Sequence, residues 1–315
     1  MTRLSVLDTS PIVQGSTARE ALRHTLDLAL LAEELGFHRY WVPEHHGMRG
    51  VASSAPAVVV GRIAAATERI RVGAGGVLLP NHAPIVVAEQ FGTLEAFHPG
   101  RIDLGLGRAP GGPQPAVDAV RSERERTAKS FEDQVRELLG YFRPGDDRVR
   151  AVPAVGNKPS VWLLGSSGHS AELAGSLGLG YAFAHHLRPD NAASALGRCR
   201  GAQTLVSVSV IVADTDAEAE YLAGSTRLKV LSRVRGRRIQ LPSAADAAAY
   251  PYRDEDRQEI AVRSGGALVG SPDTVRPLLQ AVVDETGTTE LMLTTPVHDH
   301  AARRRSYELV SKIRP

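Results

Sequence analysis

Residues 39–46 read Arg39-Tyr40-Trp41-Val42-Pro43-Glu44-His45-His46. Three bulky β-formers run directly into a proline, a carboxylate and two imidazoles, the pattern of a short buried strand that delivers reactive side chains at its C-terminal end. Upstream, Thr17 and Glu20 have capping-box spacing, and Leu22, Leu26, Ala29, Leu30 and Leu35 recur at helical intervals until Gly36 ends the run. Leu4 to Leu7 precedes that helix as a short strand, so the chain opens with a complete βαβ unit. Downstream the alternation continues. A helix is predicted over Ala55 to Ala66, a third strand over Ile70 to Leu79, a helix over Ile85 to Phe97 closed by His98-Pro99-Gly100, and a fourth strand over Ile102 to Leu106.

The second half follows the same rhythm. Phe131, Val135, Leu138 and Leu139 share a helical face within 122–142, and 143–159 reads as loop or a small hairpin. Strands are predicted at Val161 to Leu164, Tyr181 to Phe183, Leu205 to Val212 and Glu290 to Leu293. Helices are predicted at Ala171 to Leu177, Asn191 to Arg200, Ala217 to Arg235, Pro272 to Glu285 and Ala301 to Ile313. Between Gly236 and Gly270 the pattern breaks down, with Pro242, an alanine-rich patch and Tyr250-Pro251-Tyr252, and this stretch is expected to be a lid or insertion near strand seven. Eight strands, nearly all followed by helices, specify a parallel sheet of right-handed crossovers. Closed on itself, that sheet is a (β/α)8 TIM barrel spanning 1–315 as one domain; a doubly wound open sheet is the alternative.

Composition narrows the function. The 315 residues are 43% apolar and 23% charged, with 37 Lys and Arg against 35 Asp and Glu, a net charge of +2. So small a margin gathers neither nucleic acid nor an anionic membrane. The run Arg233, Arg235, Arg237, Arg238 lacks the interleaved aromatics of a nucleic-acid patch and reads as a solvated loop. Cys199 is the one cysteine, which excludes an intramolecular disulfide, a cysteine-based zinc site and an iron–sulfur cluster. No apolar run reaches the ~20 residues of a membrane helix, and Met1 to Asp8 is too short and polar for a leader; a cytoplasmic protein is expected.

In such barrels chemistry gathers at the C-terminal ends of the strands. Here these ends carry Glu44-His45-His46, Gly73-Ala74-Gly75-Gly76, Gly105-Leu106-Gly107-Arg108, Gly165-Ser166-Ser167-Gly168-His169-Ser170 and Ala184-His185-His186. The turn from Gly165 to Ser170 leads into a helix, so its N–H groups and the Ser166 and Ser167 hydroxyls, with Gly168, suit a phosphate cradle that Arg108 could reach. An ordinary helix cap is the competing reading. Gly73 to Gly76 is no dinucleotide fingerprint, because Val77-Leu78-Leu79-Pro80 continues extended where a helix is required. Its small residues suit close approach of the backbone to a flat ligand, or else tight packing. Neighbouring residues on an extended chain point to opposite sides, so one of His45 and His46 should face the mouth while the other packs locally. A metal-dependent hydrolase, drawing ligands from Glu44, His82, His185 and His186, remains a rival.

Together, Trp41-Val42-Pro43-Glu44-His45-His46, Val72-Gly73-Ala74-Gly75-Gly76-Val77-Leu78-Leu79-Pro80, His82-Ala83-Pro84, Glu89-Gln90 and Gly100 through Arg108 resemble the luciferase-like flavin-dependent monooxygenases, and the likeness resumes at Val161 to Ser167 and Val269 to Pro272. The resemblance implies a TIM barrel and a reduced flavin, FMNH₂, reacting with O₂ to oxygenate a small organic substrate. It places the catalytic histidine at His45, for stabilising or protonating the flavin hydroperoxide, and a non-proline cis peptide between Gly75 and Gly76 beside the flavin ring. Cofactor contacts fall on Glu44, Gly75, Gly76, Arg108, Gly165, Ser166, Ser167 and Gly168. Gly107 stands where the light-emitting enzyme has a reactive cysteine, and Gly75 and Gly76 stand where it has alanines, which argues against light emission and for a bulkier substrate. Ala184-His185-His186 is most similar to the subgroup of antibiotic biosynthesis that tailors aromatic polyketides such as mensacarcin. The family implies a separate flavin reductase as partner and a homodimer. Hydride transfer with F420 and non-catalytic flavin binding are the two alternatives it leaves.

Overall fold

The computed structural model of the chain describes residues 2–109, 111–120, 129–145, 149–199, 201–264 and 266–315. Its strands are β1 (Arg3–Leu7), β2 (Arg39–Val42), β3 (Arg71–Leu78), β4 (Ile102–Gly107), β5 (Ser160–Gly165), β6 (Gly180–Phe183), β7 (Thr204–Val212), β8 (Ala267–Gly270) and β9 (Glu290–Thr294). Every pairing is parallel, in the order β6-β5-β4-β3-β2-β1-β9-β7, and β6 also pairs with β7, so eight strands close into a barrel. The open-sheet alternative is thereby removed.

The pleat divides each strand between two environments. Outward residues such as Val6, Tyr40, Val42, Val72, Leu104, Leu163, Phe183, Val206 and Leu293 are buried under the surrounding helices in one continuous core. Inward, Trp41, Trp162, Ala182, Leu205 and Met292 fill the bore, with Leu7 and Leu164 packed against them. Two residues earlier on the same faces the bore turns ionic. Arg39 donates to Glu290 through Nε (2.6 Å) and Nη2 (3.1 Å) and to Asp103 through Nη1 (2.8 Å). Asp103 also accepts from Trp41 Nε1 (2.9 Å) and from Arg71 Nε and Nη2 (3.0 and 2.6 Å), and the Ser5 hydroxyl donates to Glu290 (2.6 Å). Arg39 stacks 4.7 Å from the Trp162 ring centre. Two guanidinium groups thus face two carboxylates, and Arg39, Asp103 and Glu290 are all sealed from solvent.

A second buried anion ties the ends of the chain together. Asp8, just past β1, accepts from Tyr40 (2.6 Å), Thr25 (2.7 Å) and Arg303 (2.6 Å), and so joins the barrel wall to helices Ala18–Glu34 and His300–Ser311. Burial would raise its pKa, but the charge of Arg303 and hydrogen bonds from Tyr40 and Thr25 hold it below the ordinary carboxylate value.

The predicted elements stand with few changes. The Thr17–Glu20 capping box forms, and Gly36 takes φ +71° just beyond the first helix. The helix predicted within 122–142 is described from Phe131 to Gly140, and its earlier part lies outside the described residues. The helix predicted over 191–200 is shorter, Ala192–Leu196. The larger correction concerns 236–270, which is no patternless excursion: it holds helices Ala244–Ala249 and Asp254–Ser264 and the strand β8, which extends the sheet alongside the C-terminal half of β7. Nor is the whole arginine run a solvated loop, because Arg235 bonds the Tyr250 hydroxyl (2.6 Å) and pairs with Asp256.

Asp103→Asn strands Arg39 and Arg71 beside a neutral group inside the bore. The expected loss is about 3–5 kcal/mol of unfolding free energy, read from urea denaturation; an unchanged midpoint would mean that the cluster does not hold the barrel.

Candidate active site

Trp41 lies in the bore, and continuing its alternation beyond β2 brings His45 to the same side and Glu44 to the other. Glu44 is buried at the junction of β2 and β3. Its Oε1 accepts from Nε2 of His46 (2.7 Å) and Nε2 of His82 (2.8 Å), and its Oε2 accepts from the Leu78 N–H (2.9 Å). Burial opposes ionisation here, but the hydrogen bond and charge of His82, then His46 and Leu78, outweigh it and keep the carboxyl below its usual pKa. Glu44 therefore anchors the ends of two strands. Of the two histidines that alternation sets apart, His46 is the one that packs locally, and His45 is left with its Nδ1 buried and without a hydrogen-bond partner. Burial lowers the pKa of His45 more than Glu44 raises it, so its imidazole is neutral at pH 7. Among the described residues no group of three or more His, Cys, Asp or Glu could hold a metal ion; both Nε2 atoms beside Glu44 are donors to the carboxylate.

The peptide between Gly75 and Gly76 is cis, as the resemblance implied, and the β3–β4 register shifts between Ala74 and Val77. The protein's own packing demands these glycines. A Cβ on Gly75 would lie 2.8 Å from Trp41 Cε3, and one on Gly76 would lie 2.7 Å from the Gly105 carbonyl. Their smallness thus follows from strand-to-strand contact, the reading that competed with close approach of a ligand. At Gly107 the nearest atom to a Cβ would be Leu78 Cδ2 at 3.4 Å, an ordinary contact. Arg108 follows it, exposed on the rim.

After β5 the helix begins at Gly168, earlier than predicted, so the turn contracts to Gly165, Ser166 and Ser167. Ser167 is the N-cap, yet its side chain makes no capping hydrogen bond. The carbonyls of Ser166 and Ser167 are instead held by Asn191 Nδ2 (3.2 Å) and the Tyr181 hydroxyl (3.1 Å). The ordinary-cap reading therefore fails for the Ser167 hydroxyl, and the first-turn N–H groups keep the positive end of the helix available to an anion. Across the barrel, the start of the insertion crosses onto the mouth. Val13 and Leu241 form an isolated bridge, the Gln14 N–H donates to the Leu241 carbonyl (2.9 Å), and Gln240 Nε2 reaches the Arg49 carbonyl (3.3 Å).

Residues 2–290 match the family model described as luciferase-like monooxygenase. The chain belongs to the luciferase-like monooxygenase family. It is 42% identical over 322 residues to a luciferase-like monooxygenase of Escherichia coli strain K12, covering 98% of this chain and 96% of that one. It is 35% identical over 329 residues to the N-acetyl-S-alkylcysteine monooxygenase of Bacillus subtilis, covering 99% and 98%. The crystal structure of apo-MsnO8 superposes with a TM-score of 0.91 at 37% identity over the full length of both chains.

In this family member the ends of β2, β4 and β5 bring His45, Glu44, Arg108 and the Gly165–Gly168 turn to one face of the barrel, whereas the Gly75–Gly76 peptide lies inside β3, which runs on to Leu78 beyond the end expected for it. Sequence reasoning missed the role of Glu44 as histidine anchor, the ionic floor beneath the site, and Asn81, whose amide is buried with both polar atoms unpartnered. A polar residue immediately before His82 in a run that is otherwise apolar was the available signal.

His45, His185 and His186 all have pKa values lowered first by burial. The unfolded chain then binds protons near the ordinary value of 6.5 while the folded chain does not, so their contribution to stability is present above that pH and is lost as pH falls below it. Thermal unfolding should show a lower Tm at about pH 5.5 than at about pH 7.5, and the drop should shrink in His186→Gln; a flat profile would contradict these shifts.

Proposed function

We propose that the chain binds reduced FMN at the C-terminal mouth of its barrel and oxygenates a small organic substrate with O₂. The observation that carries this reading is the convergence, on one face, of an anion-ready helix start after β5 and a neutral imidazole with a buried, unpartnered nitrogen after β2. They follow strands that have β3 and β4 between them in the barrel wall. Reduced flavin supplies the two electrons that divide O₂ between product and water. The Ser166 and Ser167 hydroxyls and the N–H groups from Gly168 onward bind the phosphate, with Arg108 on the adjacent rim, and Gly165 lets the turn close against Ser170. Glu44 fixes the β2 and β3 ends through His46, His82 and Leu78, so that His45 is held where it can donate or accept a proton at the reacting oxygen. The segment through Leu241 excludes water from the mouth. Gly107 adds room on the β4 rim for a bulky substrate, in keeping with polyketide tailoring. A thioether is an equally direct first trial, since the B. subtilis relative is named for N-acetyl-S-alkylcysteine. Reduced flavin comes from a separate reductase, in the cytoplasm.

The chain also pairs with a second copy of itself. Helices Pro56–Ala64 and Pro84–Phe97 pack on each other, and the second carries apolar residues around its whole circumference. Val58 near the start of the first helix is 73% exposed and Phe97 at the end of the second is 75% exposed, apolar side chains that a partner copy would cover. Val58→Glu with Phe97→Glu should move the sedimentation coefficient from dimer to monomer; a wild-type monomer at micromolar concentration would end this idea.

The central test is ¹⁸O₂ incorporation with reductase-supplied FMNH₂ over a panel of thioethers and hydroxyaromatics. His45→Ala should bind FMN within about threefold of wild type while labelled product falls by about 10²-fold or more and hydrogen peroxide release rises. Equal labelling by the variant would remove His45 from the chemistry, and reduction of substrate by reduced F420 without oxygen would replace the whole reading.

A further inference from the structure

The motif Ala184-His185-His186 is not used by the site described above, yet its second histidine is built with unusual care. His186 follows β6, and its backbone N–H donates to the Ser207 carbonyl (3.0 Å). Its Nδ1 lies 2.9 Å from the Ser207 hydroxyl oxygen and 3.3 Å from the Ser207 carbonyl oxygen. The one proton of that hydroxyl is directed to the Phe183 carbonyl (3.2 Å). The Ser207 carbonyl can only accept, and with its proton on the Phe183 carbonyl the hydroxyl offers lone pairs as well, an arrangement that favours the ring proton on Nδ1 and leaves Nε2 as the acceptor. Ser207 stands two residues after the bore residue Leu205 and level with the bore residue Met292, so the imidazole is fixed over the upper end of the bore. Nδ1 of His45 and Nδ1 of His185 are sealed without partners, and Nε2 of His186 has no hydrogen bond among the described residues.

Topology sets its relation to the first histidine. Three strands separate β2 from β6 in either direction around the barrel, β3, β4 and β5 one way and β1, β9 and β7 the other. His45 and His186 therefore stand on opposite walls of the mouth.

We propose that His186 Nε2 is a hydrogen-bond and proton acceptor for the molecule held at the barrel mouth, opposite His45, and that Ser207 is the positioning residue that fixes its tautomer. The inference rests on the flavin reading only for its choice of probe. As the proton crosses, one N–H or O–H bond of the bound molecule breaks, the electron pair stays on that atom, and an Nε2–H bond forms. The imidazolium then faces the new anion, and the same proton returns when the product leaves. Burial, and secondarily the neighbouring His185, keeps the pKa below the ordinary value against the pull of the Ser207 backbone, so the acceptor lone pair is present at neutral pH.

Nitrogen-15 spectra of the ligand-free protein with labelled histidine test the arrangement without turnover. His186 should show a protonated Nδ1 and a bare Nε2, and Ser207→Ala should mix the tautomers while leaving the fold intact. Reduced FMN added without oxygen is the probe for the second arm. The Nε2 resonance should move by many linewidths, His186→Leu should weaken reduced-FMN binding by about tenfold, the worth of one hydrogen bond, and His186→Gln, whose carbonyl can accept, should recover most of it. A wild-type Nε2–H tautomer overturns the proposal. So do His186 resonances that stay still while those of His45 move, which would leave the flavin reading intact. If reduced FMN moves neither, the flavin reading fails and the tautomer spectra alone decide the state of His186.

Discussion

A guanidinium placed inside a closed barrel has no water to solvate it, and everything above it depends on how that charge is met. Arg39 is held by carboxylates from β4 and β9, with Ser5 of β1 and Arg71 of β3 completing the set. Five of the eight barrel strands are thereby pinned in relative height from within. In a parallel barrel the hydrogen-bond ladder alone tolerates slippage when the strands are short, as β2 and β6 are at four residues. An ion cluster does not, because a slip in register would leave a buried charge unpaired. The tryptophans stacked above it inherit that height, and the strand ends inherit it from them.

The site is thus a rim whose members owe their positions to different causes. Glu44 is fixed by three donors and in turn fixes two histidines, so the β2 and β3 ends behave as one unit. The β5 end is held through its carbonyls, by Asn191 and Tyr181, which leaves the Ser167 hydroxyl uncommitted. Across the bore, Ser207 orients His186 through hydrogen bonds from a neighbouring strand. In each case a residue away from the mouth specifies the direction of one at the mouth, the arrangement by which a rigid scaffold gives reactive groups defined geometry.

Much of this was legible in the amino-acid order. All eight barrel strands announce themselves as short apolar runs between turn residues, and the polar ends after them locate the mouth. The alternation of an extended chain is enough to separate His45 from His46. Other features were hidden for physical reasons. Arg39, Asp103 and Glu290 sit in strands where a charge ordinarily points to solvent, and only closure of the barrel turns that face inward. The strand β8 is four residues long beside a glycine, too short for a period to register. The helices Ala244–Ala249 and Asp254–Ser264 lack a strong apolar face and rest on helix Asp216–Val234, so tertiary contact decides them where pattern does not. Finally, Gly75 and Gly76 signalled tightness correctly, but sequence could not say whether ligand or protein pressed on them.

That last distinction bears on how such a scaffold diversifies. On the β3 side every added carbon meets backbone or an indole, so this wall is frozen. One strand over, a methyl added at Gly107 meets nothing closer than Leu78 Cδ2 at 3.4 Å. Natural drift and directed evolution alike should therefore find new chemistry along the fourth-strand edge, where a library can vary the cavity wall while the fold stays indifferent to the outcome.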